Sequence, residues 1–317
     1  MSDKKTKPLT NKIDFAVIIS VRRANPNGDP LNGNRPRQTY DGYGEISDVC
    51  IKRKIRNRLQ DMGESIFVQS DDNRVDGFRS LNARFQDANL ADAQKDGCAK
   101  WFDVRAFGQV FAFKKKPSAK IKKGKVEQTD KNEADNLEES GSADAVSVGV
   151  RGPVTVQSAF SIEAINPDSL QIVKSVNLET NEKEPDKKGS DTMGMKHRVD
   201  KGVYVTYGSI NTQLAAKTGF SDEDAEKIKA ALRSLFVNDV SSARPDGSME
   251  VLKVIWWKHN SPCGQYSSAR VHRALSELLD ENKNGTYDPI KMKNKLPDLE
   301  VEELDQLEGE ELQKVSC

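Results

Sequence analysis

The sequence contains little cysteine, and the few cysteines are scattered along it. No two of them form a C-x-x-C pair and their separations show no repeated spacing; they are Cys50, Cys98, Cys263 and Cys317. A secreted fold held by disulfides and a zinc ribbon both need paired or regularly spaced cysteines, so both are excluded. Isolated cysteines of this kind predict reduced thiols in a cytoplasmic protein.

The chain also lacks a long apolar stretch. Its longest apolar run falls far short of the roughly 20 residues that a helix needs to cross a bilayer. Residues 1–7 have no apolar core of the kind found in signal peptides. The sequence therefore predicts neither a membrane nor a secretory role. The net charge is zero, from 49 basic and 49 acidic residues, but binding depends on local rather than total charge.

Histidine and the common nucleotide-binding motifs are scarce as well. The three histidines, His197, His259 and His272, lie in separate contexts and not at the H-E-x-x-H or H-x-E spacing of zinc enzymes. Neither G-x-x-x-x-G-K-[ST] nor a G-x-G-x-x-G opening a helix is present. The sequence predicts no metal site, no cofactor and no catalytic residue.

What the chain does contain is an apolar strand, a loop rich in glycine and asparagine, and a basic helix in direct succession. The strand begins at Asp14, the loop spans residues 25–34, and the helix begins after Ser47, a predicted N-cap. The loop residues tolerate positive φ and expose backbone N–H groups, as close approach to phosphate requires. Taken alone, such a loop is better explained as a long ordered connection with two turns.

The helix combines an apolar stripe with a dense cluster of positive charge. Ile51, Ile55, Leu59 and Met62 recur at helical spacing, which predicts packing on a sheet. No acid occurs between Val49 and Gln60, whereas five bases do: Lys52, Arg53, Lys54, Arg56 and Arg58. We expect Lys52, Arg53 and Arg56 to project outward and bind phosphate. The alternative is a solvated face of an ordinary surface helix.

Six segments in the same order resemble the CRISPR Cascade backbone subunits of the RAMP superfamily, in their type I-C branch. The resemblance runs from about Asp14 to His259. The segments are Asn25–Pro30, Ser47–Asn57, Asp103–Gly108, Val150–Val154, Thr192–His197 and Gly219–Asp224. It implies an α+β fold, with an RNA-recognition-like (ferredoxin-like) palm, an inserted finger region and a long β-hairpin thumb.

The resemblance and the local patterns together predict how the chain is divided. The predicted parts are an N-terminal tail (1–13), a first palm part with the basic helix (14–64), a finger insertion (65–100), palm strands with a flexible charged loop at 114–145 (101–165), the thumb hairpin (166–200), the rest of the palm (201–280) and an acidic C-terminal tail (281–317). Predicted strands are Asp103–Phe113, Val146–Ile165, Val203–Tyr207 and Val251–Trp257. Ser221 and Asp224 form a capping-box pattern before an amphipathic helix, and a second helix is predicted over Ala269–Leu279.

The RNA-binding residues that the resemblance implies come from the loop, the basic helix and the thumb. In the thumb, the methionines serve as apolar wedges against bases and the cations neutralise phosphates. The full predicted set is Asn25, Asn27, Arg35, Lys52, Arg53, Arg56, Arg151, Met193, Met195, Lys196, His197 and Arg198. Taken without the resemblance, the two methionines read as core filler and His197 as a surface histidine.

The function implied by the resemblance is a noncatalytic backbone subunit of an antiviral Cascade complex. Many copies bind the spacer of the crRNA and present it for pairing with a target DNA strand. The implied partners are further copies of the chain, an end-capping subunit, a large PAM-reading subunit, a small subunit and a recruited helicase-nuclease. Two alternatives stay open: a metal-dependent endoribonuclease that uses Asp29, and a general RNA-packaging protein.

Overall fold

The structure, a computed structural model, describes residues 7–113, 146–174 and 192–316. The predicted charged loop 114–145, the polar thumb stretch 181–189 and Cys317 lie outside these residues. The strands of the described chain are β1 (Ile13–Ala24), β2 (Gly28–Asp29), β3 (Arg35–Pro36), β4 (Tyr43–Ile46), β5 (Gly108–Phe113), β6 (Val146–Arg151), β7 (Val154–Val156), β8 (Ala159–Ala164), β9 (Pro167–Lys174), β10 (Thr192–Ile210), β11 (Met249–Lys258) and β12 (Glu300–Leu304).

The helices alternate with these strands. They are α1 (Asp48–Asp61), α2 (Leu81–Asp87), α3 (Lys95–Lys100), α4 (Phe102–Phe107), α5 (Thr212–Thr218), α6 (Asp222–Arg233), α7 (Ser268–Asn282), α8 (Pro289–Lys295) and α9 (Gly309–Ser316), and a 3-10 turn covers Pro30–Asn32. None of the helices in this described part of the chain is long and apolar enough to cross a membrane.

One antiparallel sheet organises the described residues. Its strand order is β12-β11-β1-β10-β8-β4, and β7 and β9 pair with opposite ends of the long strand β10. β1 lies at the centre, and its first nine residues are buried on both faces, as a continuous apolar run predicts. The fold is therefore α+β, as expected.

Each face of the sheet has its own core. Phe15, Val17 and Ile19 of β1 pack with α1 and α6 on one side, which we call the α1 face. Ala16 and Ile18 pack with α7 and α8 on the other side, the α7 face. Both helices on the α1 face begin as predicted: the Ser47 side chain accepts from Cys50 N, and Ser221 with Asp224 forms the complete capping box.

A smaller cluster lies under residues 65–113. It contains Phe67, Trp101 and Phe111, which pack ring against ring. The sequence predicted an irregular segment up to residue 100, but α2 and α3 occupy part of it. The predicted strand Asp103–Phe113 is wrong in its first half, which forms α4; Gly108, at φ 80°, ends that helix and starts β5.

Two other sequence expectations need correction. Residues 146–165 form three short strands instead of one long strand, because the chain bends between β6 and β7 and again before β8. The predicted acidic tail from residue 281 is part of the fold, since β12 pairs with β11 along the sheet edge. Its acids are partly matched by bases: Glu302 accepts from Lys229 Nζ at 2.9 Å. By contrast, the predicted strands in β10 and β11 and the helix α7 are confirmed.

Candidate nucleic-acid interface

The loop that follows β1 is held by its own asparagines. The side chain of Asn25 is buried, and its Nδ2 donates to the Asn34 carbonyl at 2.8 Å. Asn27 Oδ1 accepts from both the backbone N and the hydroxyl of Ser47, at 2.9 and 2.8 Å. Asn27 thus fixes the residue that caps α1. The two asparagines shape the loop directly, and any contact that they make with RNA remains a prediction.

Asp29 has a local structural partner. Its carboxylate accepts from Leu31 N at 3.2 Å and caps the 3-10 turn, and Arg37 Nη1 lies 3.8 Å away. Such an arrangement is typical of a turn-capping aspartate. Within the described ranges, no group of three or more His, Cys, Asp or Glu side chains is placed to hold a metal ion.

The basic helix α1 does not direct all its cations outward. Arg56 Nε donates to Asp103 Oδ2 at 3.0 Å, and this aspartate also accepts from Phe67 N at 2.7 Å and Val68 N at 3.0 Å. Arg53 donates to the Val68 carbonyl at 2.6 Å. The expected outward projection is therefore wrong for Arg53 and Arg56, because both side chains connect α1 to the segment 65–103.

The remaining bases of α1 also differ in whether they face solvent. Lys54 is buried against Asp239; burial lowers the pKa of its amine, and the aspartate offsets part of that effect. Arg58 is also buried, with Nε donating to Ser234 Oγ at 2.8 Å. Lys52 alone of the predicted trio makes a surface pair, 3.0 Å from Asp48 within the helix. Such exposed pairs are weak, so Lys52 can exchange its partner for a phosphate.

The ladder between β9 and the first half of β10, which we call the arm, separates the predicted thumb residues onto two faces. Met193, Met195 and His197 lie on one face, at every second residue of β10. His197 Nδ1 lies 2.8 Å from Ser169 Oγ. Lys196 and Arg198 point to the other face. Met193 and Met195 are 68% and 55% exposed, so neither is core filler. The two cations share their face of the arm with the exposed side chains of Leu170 and Ile172, which pair with Lys196 and Gly194.

Arg35 and Arg151 are the two other predicted bases. Arg35 lies on β3 and Arg151 at the end of β6, and both are exposed. Neither makes a hydrogen bond or ion pair from its side chain with any residue that the structure describes. As far as the described ranges extend, both side chains are open to a negatively charged ligand.

A groove on the α7 face was not predicted from the sequence. It has a volume of about 840 Å³, and its walls include Arg22, Lys201, Lys283, Ile162 and Val203. Arg22 and Lys201 are directly opposite each other on β1 and β10. The Arg22-Arg23 doublet at the end of the first strand was visible in the sequence. Its juxtaposition with Lys201 was not, because it depends on the strand register.

Acidic groups also line this groove. They are Glu163 and Asp200, and Asp200 Oδ1 lies 3.6 Å from Arg23 Nε. Among the described residues, Arg22, Lys201 and Lys283 have no acid within ion-pair distance. The groove therefore has a local excess of positive charge that the zero net charge of the chain conceals.

Comparison with known proteins finds a family model that covers most of the chain. The family model described as "CRISPR-associated protein Cas7" matches residues 11–302. A protein of that description from Haloferax volcanii (strain DS2) is 25% identical over 248 residues, which cover 73% of this chain and 66% of that protein. Two solved structures titled "CRISPR RNA-guided surveillance complex", one of them "pre-nicking", align with TM-scores of 0.45 and 0.44 at 14% identity.

In the pre-nicking structure the alignment covers 90% of this chain and 87% of the other, and in the second structure 96% and 92%. The family model spans nearly all the described sheet, from the start of β1 into β12. The chain therefore belongs to the CRISPR-associated protein Cas7 family.

Proposed function

We propose that the chain is a noncatalytic, crRNA-binding backbone subunit of a CRISPR surveillance complex, of the type I-C Cascade branch. Many copies bind along one spacer and present its bases to a target DNA strand. The observation that carries this proposal is the family match over residues 11–302, together with the type I-C motif order from Asn25 to Asp224. The other Cascade subunits and a recruited helicase-nuclease complete the proposed partners.

The topology supports an RNA-recognition-like palm. The strand order β11-β1-β10-β8, with α1 and α6 on one face, is the arrangement of a ferredoxin-like β-α-β-β-α-β unit. The arm then corresponds to the proposed thumb, and residues 65–100 to the proposed finger. In this arrangement the α1 face is the packed side and the α7 face is only partly covered.

The chemistry of the surfaces supports binding that does not depend on RNA sequence. A backbone subunit must accept any spacer, so its contacts have to go to phosphates, sugars and base faces. Arg35, Lys52 and Arg151 are available for phosphates, and Met193 and Met195 for base faces. Four other predicted residues position the loop and the helix that carry these contacts: Asn25, Asn27, Arg53 and Arg56.

Sequencing of RNA that co-purifies with the protein tests the proposal. A guide RNA binder recovers RNAs of one repeat-derived length, expressed from a CRISPR array with unrelated spacers. Heterogeneous cellular RNA would point instead to a general RNA-packaging protein. Incubation with labelled complementary RNA and magnesium, for the wild type and the Asp29→Ala variant, tests the endoribonuclease alternative. We expect no cleavage from either.

A further inference from the structure

We propose that the open half of the α7 face holds a nucleobase of single-stranded RNA against the ring of Phe160, while Arg22 and Lys201, farther along the same face, bind phosphates of the same strand. The inference rests on the proposed RNA-binding function and deepens it, since it names the surface that holds an individual nucleotide. The position of Phe160, the neighbouring Tyr43 and the charge of the groove each contribute to it.

Phe160 lies on the sheet face that α7 only partly covers. It is paired with Val205 of β10, which is paired in turn with Ile18 of β1. Directly opposite residues of antiparallel strands share a face, and Val205 and Ile18 belong to the core beneath α7. That core reaches Ile162 of β8 but does not include Phe160, which is 45% exposed. A large aromatic ring is thus presented to solvent on the strand next to the sheet edge.

Tyr43 contributes a second exposed ring on the same face. A Cβ placed on the next residue, Gly44, would lie 2.3 Å from the hydroxyl oxygen of Tyr204, whose side chain belongs to the α1-face core. Gly44 therefore faces α1, and Tyr43, one residue earlier, faces the α7 side. Tyr43 is 41% exposed and lies opposite Ala164, which lines the groove. Two aromatic side chains consequently flank the groove on the side of β8 and β4.

The charge of the groove favours an anionic ligand. Like charges directly opposite on neighbouring strands repel, so the pairing of Arg22 with Lys201 is unfavourable until an anion lies between them. Lys283, just after α7, adds a third base to the rim. Of the two acids nearby, Asp200 is next to Arg23, which leaves Glu163 as the opposing charge.

Rings beside backbone-binding cations are the combination that single-stranded nucleic acid recognition uses. Every base has a π-face, so stacking on Phe160 accepts any sequence, while the cations follow the sugar-phosphate backbone. A neutral or apolar peptide could pack against the rings, but it would give Arg22 and Lys201 no negatively charged partner.

Fluorescence anisotropy with a labelled oligouridine RNA and the full-length protein tests this inference. We expect Phe160→Ala and Phe160→Leu to weaken binding about 5- to 150-fold, equivalent to about 1–3 kcal/mol for one stacked base. Phe160→Tyr should retain affinity. The leucine variant preserves apolar bulk, so a loss of affinity in a folded Leu variant reports on the ring. Ile290→Ala, which removes an exposed apolar side chain of α8 outside the groove, serves as the matched control.

The salt dependence of binding distinguishes the phosphate contacts of the cations from the stacking of the base. Arg22→Ala with Lys201→Ala should reduce the salt slope by about 1.4, at about 0.7 per phosphate on a single strand. The Phe160 variants should leave that slope unchanged. An oligonucleotide with abasic sites should bind the wild type and Phe160→Ala equally, because it has no base to stack on the ring in either protein.

Two results would overturn the inference in different ways. If the wild type binds the RNA and both folded Phe160 variants bind it equally well, this face does not hold a base and is left for a protein partner. If the wild type binds neither oligouridine nor guide RNA, the proposed function and the base site fail together.

Discussion

The ion pair between Arg56 and Asp103 gives the sharpest test of how the basic helix is used. Asp103 is 1% exposed and the Arg56 side chain 14% exposed, so the pair is largely removed from water. Arg56→Ala leaves the carboxylate buried without its cation. We therefore expect this variant to lose stability before any effect on RNA binding is considered.

The magnitude follows from the contacts that remain. Removal of one partner of a buried ion pair costs about 3–5 kcal/mol. Asp103 retains two backbone N–H donors, from Phe67 and Val68, so we expect the lower end, about 3 kcal/mol. In a chain of this length that corresponds to a fall in Tm of about 6 °C, at roughly 2 °C per kcal/mol.

Chemical denaturation and thermal melting of matched variants provide the assay. Lys52→Ala removes a surface pair on the same helix and should cost no more than about 0.5 kcal/mol. Combining Arg56→Ala with Asp103→Asn should restore part of the loss, because the buried charge is then gone. RNA affinity of the folded Lys52→Ala variant should fall, with a salt slope lower by about 0.7.

The reasoning is refuted if Arg56→Ala unfolds at the same denaturant concentration as Lys52→Ala. In that case the guanidinium would not stabilise the buried carboxylate, and the outward orientation expected from the sequence would be restored.

Three further predictions concern the rest of the chain. Burial lowers the pKa of His272 in the folded protein below the unfolded value of about 6.5. The free energy of unfolding should therefore be highest above pH 6.5 and should fall as the pH drops below that value, because the unfolded chain then binds the proton more readily. His272→Gln should flatten this pH dependence in denaturant titrations. Met193→Ala with Met195→Ala should leave the melting temperature unchanged, since both side chains are exposed, yet loosen the periodic chemical reactivity of bound guide RNA; unchanged reactivity would place the wedge elsewhere. A Cβ at Gly152 would lie 2.3 Å from a carbonyl oxygen of α4, whereas at Gly149 it would meet nothing within 4 Å, so only Gly152→Ala should reduce soluble expression and Tm; equal Tm values would contradict the close approach.

Local patterns predicted much of the fold. The apolar run of β1, the stripe of Ile51, Ile55 and Leu59, and the capping box at Ser221 are short-range signals, and each is confirmed. These features depend on residues within a few positions of one another, where periodicity and capping chemistry act. The order of the motifs likewise predicted the family.

Long-range partners account for what the sequence did not reveal. The acids that neutralise α1 lie far along the chain: Asp103 is 47 residues from Arg56, and Asp239 is 185 residues from Lys54. Without those partners, a helix of five bases reads as an exposed phosphate-binding surface. The groove was missed for the same reason, because Arg22 meets Lys201 only through the register of β1 and β10.

The acidic C-terminal segment shows how composition can mislead. A run of acids without bases is typical of a solvated tail. Here Val301 packs against the α7-face core, and Lys229 and Lys253 lie within ion-pair distance of acids on β12. Charge on an edge strand also discourages pairing with another chain, so this composition suits a sheet edge as well as a tail.

Length analysis and sequencing of the RNA bound to the purified full-length protein test the central claim most directly. The protein is co-expressed with a CRISPR array that carries several unrelated spacers, and Arg22→Ala with Lys201→Ala provides a binding-deficient comparison. We predict one repeat-derived length, all spacers in near-equal proportion, and a reduced yield from the variant. Heterogeneous cellular RNA, or no RNA at all, would contradict the assignment as a guide-binding subunit.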